Sequence, residues 1–340
     1  MDLAELKRAA EAMVAPGRGI LAADESSGTI QKRFEAIGVQ SNEDSRRDYR
    51  ELLFRAGAMK DAISGVILYD ETIRQSAKDG TPLVKLIERA GSIPGIKVDK
   101  GTKKLPFSSG EVITEGLDGL RERLVEYRNL GAKFCKWRAV IDIGPGIPSY
   151  NCINANAQAL ARYAALCQEE NLVPIVEPEV LMDGDHDIDR CYEVTEFVLN
   201  TVFDQLYHAR VKLEGTVLKP NMVVPGKKCA ARASAEEVAE KTLQVLKACV
   251  PPAVPGIAFL SGGQADVEAT EHLNAMNRIG GVPWQLTFSY GRALQAAPQK
   301  AWAGKDANVP AAQKAFSHRA VMNGLASKGK WSAEVEKQAA

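Results

Sequence analysis

Lys219 follows the apolar run GTVL and precedes Pro220, which lacks an N–H and so ends a β-ladder. A lysine closing a buried strand, in a dry site beside a second cation, loses proton affinity and becomes a nucleophilic amine. Lys136 is the candidate for that cation, and it stands two residues before Arg138. Glu177 and Glu179 flank Pro178 at the same spacing, so in extended chain each pair shares one face. Paired carboxylates beside an amine supply the proton transfers that carbinolamine formation and dehydration need. On spacing alone, a phosphate-binding or structural lysine is the competing reading. Asp24, Asp70 with Glu71, and Lys97 close other short apolar runs. Desolvating so many charges at one rim is costly without a chemical purpose, whereas ion pairs that merely close the fold are the alternative.

Two further segments suit an anion. Ser261-Gly262-Gly263 and Ser289-Tyr290-Gly291-Arg292 each run from an apolar stretch into a helix start. Free N–H groups and the helix dipole favour negative charge there, glycines admit close backbone approach, and Arg292 can fork onto phosphate oxygens. Lys97 and Ser26-Ser27-Gly28-Thr29 belong to other loops of the same face and suit a second phosphate. No metal or other cofactor is expected. His186, His208, His272 and His318 form no HxH or HxxxH pair, and the six cysteines form no CxxC. The acidic run DGDHD (183–187) reads as a turn before a helix.

The elements that must position these groups follow from pattern. Eight short apolar runs recur at 19–25, 65–71, 93–100, 132–141, 173–180, 215–223, 256–263 and 283–290. Most are rich in β-branched or aromatic residues and bounded by Gly or Pro, as buried parallel strands are. Amphipathic helices fit 42–58, 81–90, 116–130, 154–170, 187–206, 235–249 and 265–278, and Ser234 with Glu237 reads as a capping box. Eight strands alternating with helices predict a (β/α)8 TIM barrel, in which catalytic groups sit at the C-terminal strand ends and phosphate sites follow strands seven and eight. A doubly wound sheet would want GxGxxG after the first strand, but GRGILA leads into that strand. An additional C-terminal helix is predicted at 310–327, then a polar tail over 328–340, with the whole chain 1–340 forming one domain.

The 340 residues carry 43 basic and 43 acidic side chains, a formal net charge of +0, which gives no bulk attraction to nucleic acid or an anionic membrane. No apolar run approaches the roughly 18 residues that span a bilayer. Acids at Asp2 and Glu5 do not suit a signal peptide, and scattered cysteines fit reduced thiols, so the expected compartment is the cytoplasm.

The chain resembles the class I, Schiff-base family of fructose-1,6-bisphosphate aldolases. The motifs that carry the likeness are, in order, GRGILAADES (17–26), GIKVDKG (95–101), KWRAV (136–140), IVEPE (175–179), LMDGDHD (181–187), LEGTVLKPNMV (213–223), FLSGGQ (259–264) and LTFSYGRALQ (286–295). The resemblance implies that Lys219 forms an imine with the ketose carbonyl. It makes Glu177 the main acid/base of that step, with Glu179 and Lys136 beside it. Asp24 would manage the C4 hydroxyl proton, and Arg138 would line the substrate site. Ser261, Gly262, Gly291 and Arg292 would hold the C1 phosphate, with Ser289 in the same segment, while Ser26, Thr29 and Lys97 fit the C6 phosphate side. It further implies a homotetramer acting on a sugar phosphate without metal. Many members end in a tyrosine that helps exchange the C3 proton; this chain ends WSAEVEKQAA. Two other readings remain beside it, a transaldolase-type Schiff-base transferase and a non-catalytic scaffold of the same fold.

Overall fold

The computed structural model describes residues 1–338. Eight parallel strands close into a barrel: β1 Gly19–Ala23, β2 Ile63–Leu68, β3 Ile93–Lys97, β6 Phe134–Ile141, β7 Val173–Val180, β8 Val217–Leu218, β9 Gly256–Phe259 and β10 Gln285–Tyr290. A small antiparallel hairpin, β4 Thr102–Lys104 with β5 Val112–Thr114, lies between β3 and β6 in the chain. The ring runs in chain order, and β1 pairs with both β2 and β10 to shut it. Every predicted apolar run overlaps one barrel strand, and β2 begins two residues before its run. The strand after Thr216 is the shortest because Pro220 interrupts it, although the Lys219 N–H still donates to the Val176 carbonyl at 2.8 Å.

Helices cover the outside, and the amphipathic predictions map onto them, including Ala235–Cys249 with the predicted bounds. Only half of the predicted capping box is recorded: Ser234 accepts from the Glu237 N–H at 3.1 Å. Helices Leu3–Met13, Ser27–Glu35 and Arg292–Trp302 had no counterpart in the periodicity reading. The predicted C-terminal helix is Val309–Ala326. Within 328–340, read as a polar tail, Ala333–Gln338 is helical and Trp331 is buried. Glu336 anchors that segment, bonding Trp331 Nε1 at 2.8 Å and His318 at 2.7 Å and pairing with Arg319. A buried indole needs a partner for its N–H, and Glu336 supplies it.

Strand alternation sorts the barrel interior into two zones. Ile20, Ile67, Phe134, Val173, Ile175, Val217 and Ala258 point inward near the strand starts, where Leu6, Ala10, Met13 and Val14 plug the opening. Gly95 makes room for this packing: a Cβ there would meet the Phe134 ring at 2.3 Å. One inward position beyond Ala22, Gly95, Phe134 and Ile175 stand the charged residues Asp24, Lys97, Lys136 and Glu177.

Candidate active site

The charged ends converge on one cavity of about 540 Å³ at the C-terminal mouth of the barrel. Asp24, Ser26, Thr29, Lys97, Lys136, Arg138, Glu177, Glu179, Lys219, Ser261, Gly262, Ser289, Gly291 and Arg292 all line it. Register explains the meeting of the middle four: Arg138 lies opposite Glu177 and Lys136 opposite Ile175 in the β6–β7 ladder. With β8 next to β7, Lys219 enters the same layer as Glu177.

At the floor, Glu177 bridges two ammonium groups. Its Oε1 lies 3.1 Å from Lys219 Nζ and its Oε2 lies 3.2 Å from Lys136 Nζ. Lys136 also contacts Asp24 Oδ2 at 2.7 Å. Lys136, Glu177 and Lys219 are almost wholly buried. Sequence reasoning made Lys136 the candidate second cation near Lys219; the structure puts the Glu177 carboxylate between them. Burial pushes the Asp24 carboxyl up, but Lys136, Lys219 and Lys97 more than reverse this and hold it well below the usual carboxylate range. Burial likewise opposes ionisation of Glu177, and Lys136, Lys219 and Arg138 overcome it, so its pKa is also lowered. Desolvation disfavours the Lys136 ammonium, yet Asp24, Glu177 and Asp99 raise its pKa above the ordinary value. The cluster therefore holds fixed charges in a low-dielectric floor, with Lys219 among the groups that line the cavity.

Arg138 pairs with Glu179. Lys97 lies 3.6 Å from Asp99, whose other oxygen accepts from the Arg138 N–H at 3.3 Å. Asp99 was missed, although its spacing from Lys97 repeats the alternation that exposed the other pairs. Glu25 and Arg33, which also line the cavity, were missed too. They pair with each other, and Gln295 Nε2 donates to Glu25 Oε1 at 2.7 Å. Their signal was absent because Arg33 comes from helix Ser27–Glu35, outside the strand-end pattern.

Two strand-end acids do not join the site. Beyond Leu68 the chain turns into the short helix Asp70–Ile73. Asp70 bonds Arg74 and Tyr127, and Glu71 bonds Arg46. The DGDHD acids serve as turn and cap: Asp187 accepts from the Arg190 N–H at 2.8 Å, and Asp183 pairs with Lys227. Among the described residues, no group of three or more His, Cys, Asp or Glu is arranged to hold a metal ion.

On the far wall, Ser261 and Gly262 lie just beyond β9, and Gly291 caps helix Arg292–Trp302. Gly262 has φ +54° and Gly263 φ +100°, left-handed values that favour glycine. Among the described residues no carboxylate lies within ion-pairing distance of Arg292. Next to Gly291, across the β1–β10 pairing, Ser26 caps helix Ser27–Glu35, with its hydroxyl 3.1 Å from that of Thr29. Two helix N-termini thus reach the cavity from the neighbouring ends of β1 and β10, an arrangement suited to anionic groups.

A TIM barrel with a buried lysine–carboxylate cluster and two anion-ready walls defines a Schiff-base barrel enzyme as a class. The pattern of the family described as fructose-bisphosphate aldolase class-I matches residues 5–340. The chain is 58% identical, over 97% of its length and 99% of the other protein, to a probable fructose-bisphosphate aldolase class 1 of Xanthomonas campestris pv. campestris. It is 53% identical to the non-muscle-type fructose-bisphosphate aldolase of Lethenteron camtschaticum, over 96% of this chain and 90% of that one. The solved fructose-bisphosphate aldolase of Plasmodium falciparum superposes with a TM-score of 0.95 at 47% identity, covering 97% of this chain and 96% of that one. The chain belongs to the class I fructose-bisphosphate aldolase family.

Proposed function

We propose that Lys219 carries the reversible cleavage of fructose 1,6-bisphosphate to dihydroxyacetone phosphate and glyceraldehyde 3-phosphate. The observation that supports it most is the Lys219 amine, buried at the cavity floor 3.1 Å from Glu177. Lys219 passes a proton to the Glu177 carboxylate 3.1 Å away, the neutral amine attacks the C2 carbonyl, and Glu177 returns that proton to the carbinolamine oxygen so that it leaves as water. The resulting protonated imine withdraws electrons from C3. The C4 hydroxyl proton passes to the carboxylate of Asp24, the C3–C4 bond breaks to give the aldehyde, and the bonding pair becomes an enamine. Protonation at C3 and hydrolysis through Glu177 return the amine. Lys136, held between Asp24 and Glu177, keeps both carboxylates in place and moderates their charge.

Ser261, Gly262, Ser289, Gly291 and Arg292 bind the C1 phosphate; Ser26, Thr29 and Lys97 bind the C6 phosphate. Arg138, oriented by Glu179, lines the path between them. Two anion walls favour a bisphosphate over a transaldolase-type substrate, and an intact cluster favours catalysis over a scaffold role. The whole chain acts as one domain, in the cytoplasm and as a homotetramer, which rests on resemblance to the family. No helix among the described residues is long and apolar enough to cross a membrane.

Borohydride reduction in the presence of dihydroxyacetone phosphate tests the reading. A single adduct on Lys219 is expected, and an adduct on Lys136 or Lys97, or none, overturns it.

A further inference from the structure

The loops after β7 and β8 are zipped together by their main chains. The Gly226 N–H donates to the His186 carbonyl at 2.8 Å, Lys227 to Met182 at 2.7 Å, and Lys228 to Gly184 at 2.9 Å. Gly226 lies so close to the other loop that a Cβ would meet the Gly184 oxygen at 2.3 Å, so this position requires glycine. The strap fixes the Lys227 backbone at the rim of the cavity, and its side chain lines that cavity.

The side chain reaches over Gly263. A Cβ on that glycine would lie 2.5 Å from Lys227 Nζ and 3.1 Å from Arg292 Nη2. Two cations from different loops therefore flank one left-handed glycine beside Ser261 and the N-terminus of helix Arg292–Trp302. Like charges this close repel unless an anion compensates them. Within the chain, Lys227 has Asp183 at 2.7 Å, with the two side chains 41% and 60% exposed. An exposed pair of this kind contributes little and exchanges readily. A phosphate dianion, which also contacts Arg292 and the helix terminus, attracts the ammonium more strongly than one carboxylate does.

We propose that Lys227 is a phosphate-contacting residue that sets affinity at the wall formed by Ser261, Gly263 and Arg292, with Asp183 competing for its ammonium. The assignment rests on the aldolase reading for which phosphate it meets, that on C1. As a compact, hydrated point charge on a flexible stem, Lys227 can leave Asp183 for the phosphate without moving the strap.

The experiment compares the wild-type chain with Lys227→Met, Lys227→Arg and Asp183→Asn. Steady-state cleavage is read beside direct binding of inorganic phosphate by phosphorus NMR titration. Lys227→Met should raise KM for fructose 1,6-bisphosphate and fructose 1-phosphate by the same factor, about 10-fold, and weaken phosphate binding similarly. Its kcat should stay within about 2-fold, because the contact is made equally in ground and transition states. Lys227→Arg should restore most of the affinity, and Asp183→Asn, which frees the ammonium, should tighten phosphate binding. A phosphate constant unchanged by Lys227→Met overturns the proposal. So does an Asp183→Asn variant weakened as much as Lys227→Met, since a purely structural pair would behave that way. If the wild-type chain fails to cleave either sugar, the aldolase reading falls, while the phosphate titration still decides the role of Lys227.

Discussion

The two ends of the barrel interior are built from the same strands and do opposite work. At the N-terminal end, Phe134, Ile175 and Val217 pack against the plug of Leu6, Ala10, Met13 and Val14. One inward position further along the same strands come Lys136, Glu177 and Lys219, which are paired with one another and equally buried. Apolar burial stabilises by removing surface from water, without directional demands. The charged layer gains little net stability, because desolvation offsets most of the attraction. What it provides is a fixed array of charges around Lys219. One end supplies rigidity, and the other uses it to hold charges that would otherwise spread apart.

Substitutions should separate the two ends. Lys219→Met is expected to lower turnover by at least ~10³-fold, since no other route to an electron sink is evident, with the folded structure retained. A comparable loss of turnover and of melting temperature would erase the distinction. Phe134→Ala removes the ring that fills the space over Gly95, and neighbouring glycines cannot refill it. It should cost about 3–5 kcal/mol in denaturant unfolding, while turnover per folded molecule changes by less than ~3-fold.

Lys97→Met tests the charged end more finely. Losing one charge-assisted contact should cost about 1.5–3 kcal/mol, or roughly 10- to 150-fold in kcat/KM, on fructose 1,6-bisphosphate and far less on fructose 1-phosphate. Equal losses on both substrates would place Lys97 in the ion network through Asp99 instead.

The smallest effect is on pH. Burial lowers the pKa of His186 and of His272 below the ordinary 6.5. Asp142, Asp185 and Asp187 pull His186 back toward protonation, and Glu268 and Glu236 do so for His272, without reversing the shift. A depressed histidine binds its proton more readily in the unfolded chain. Its contribution is therefore full above 6.5 and is lost as pH falls through the folded value. Asp24 and Glu177 are depressed from 3.8 and 4.5, so their contributions persist to lower pH and vanish as it drops through their folded values. Thermal melts should show a first acid decline beginning near 6.5, which His186→Gln diminishes, and then a second, carboxylate-driven decline. A flat profile down to pH 5 would contradict the first.

The barrel was legible because its signals are local. Alternation, turn residues and short apolar runs bounded by Gly or Pro record which face of each strand is buried, and that record survives without contacts. Lys219, Glu177, Lys136 and Asp24 were legible for the same reason, being charges that interrupt or close apolar runs. Of helix Arg292–Trp302 only the start was legible, because Pro298 lies within it. Asp70 and Glu71 matched the strand-end pattern but turned outward, because β2 stops at Leu68 before they can face the cavity.

Residue types and their spacing determined by themselves that this chain closes a (β/α)8 barrel and presents lysines, carboxylates and glycine-rich turns at one end. Tertiary structure alone decided who pairs with whom. Glu177 sits between Lys136 and Lys219 because β6, β7 and β8 are neighbours in register. Lys227 reaches Gly263 because two loops far apart in the chain are zipped by their main-chain hydrogen bonds. Pairing depends on distances of a few ångströms between segments tens of residues apart, and no local pattern encodes those. Closing the ring sets them all at once.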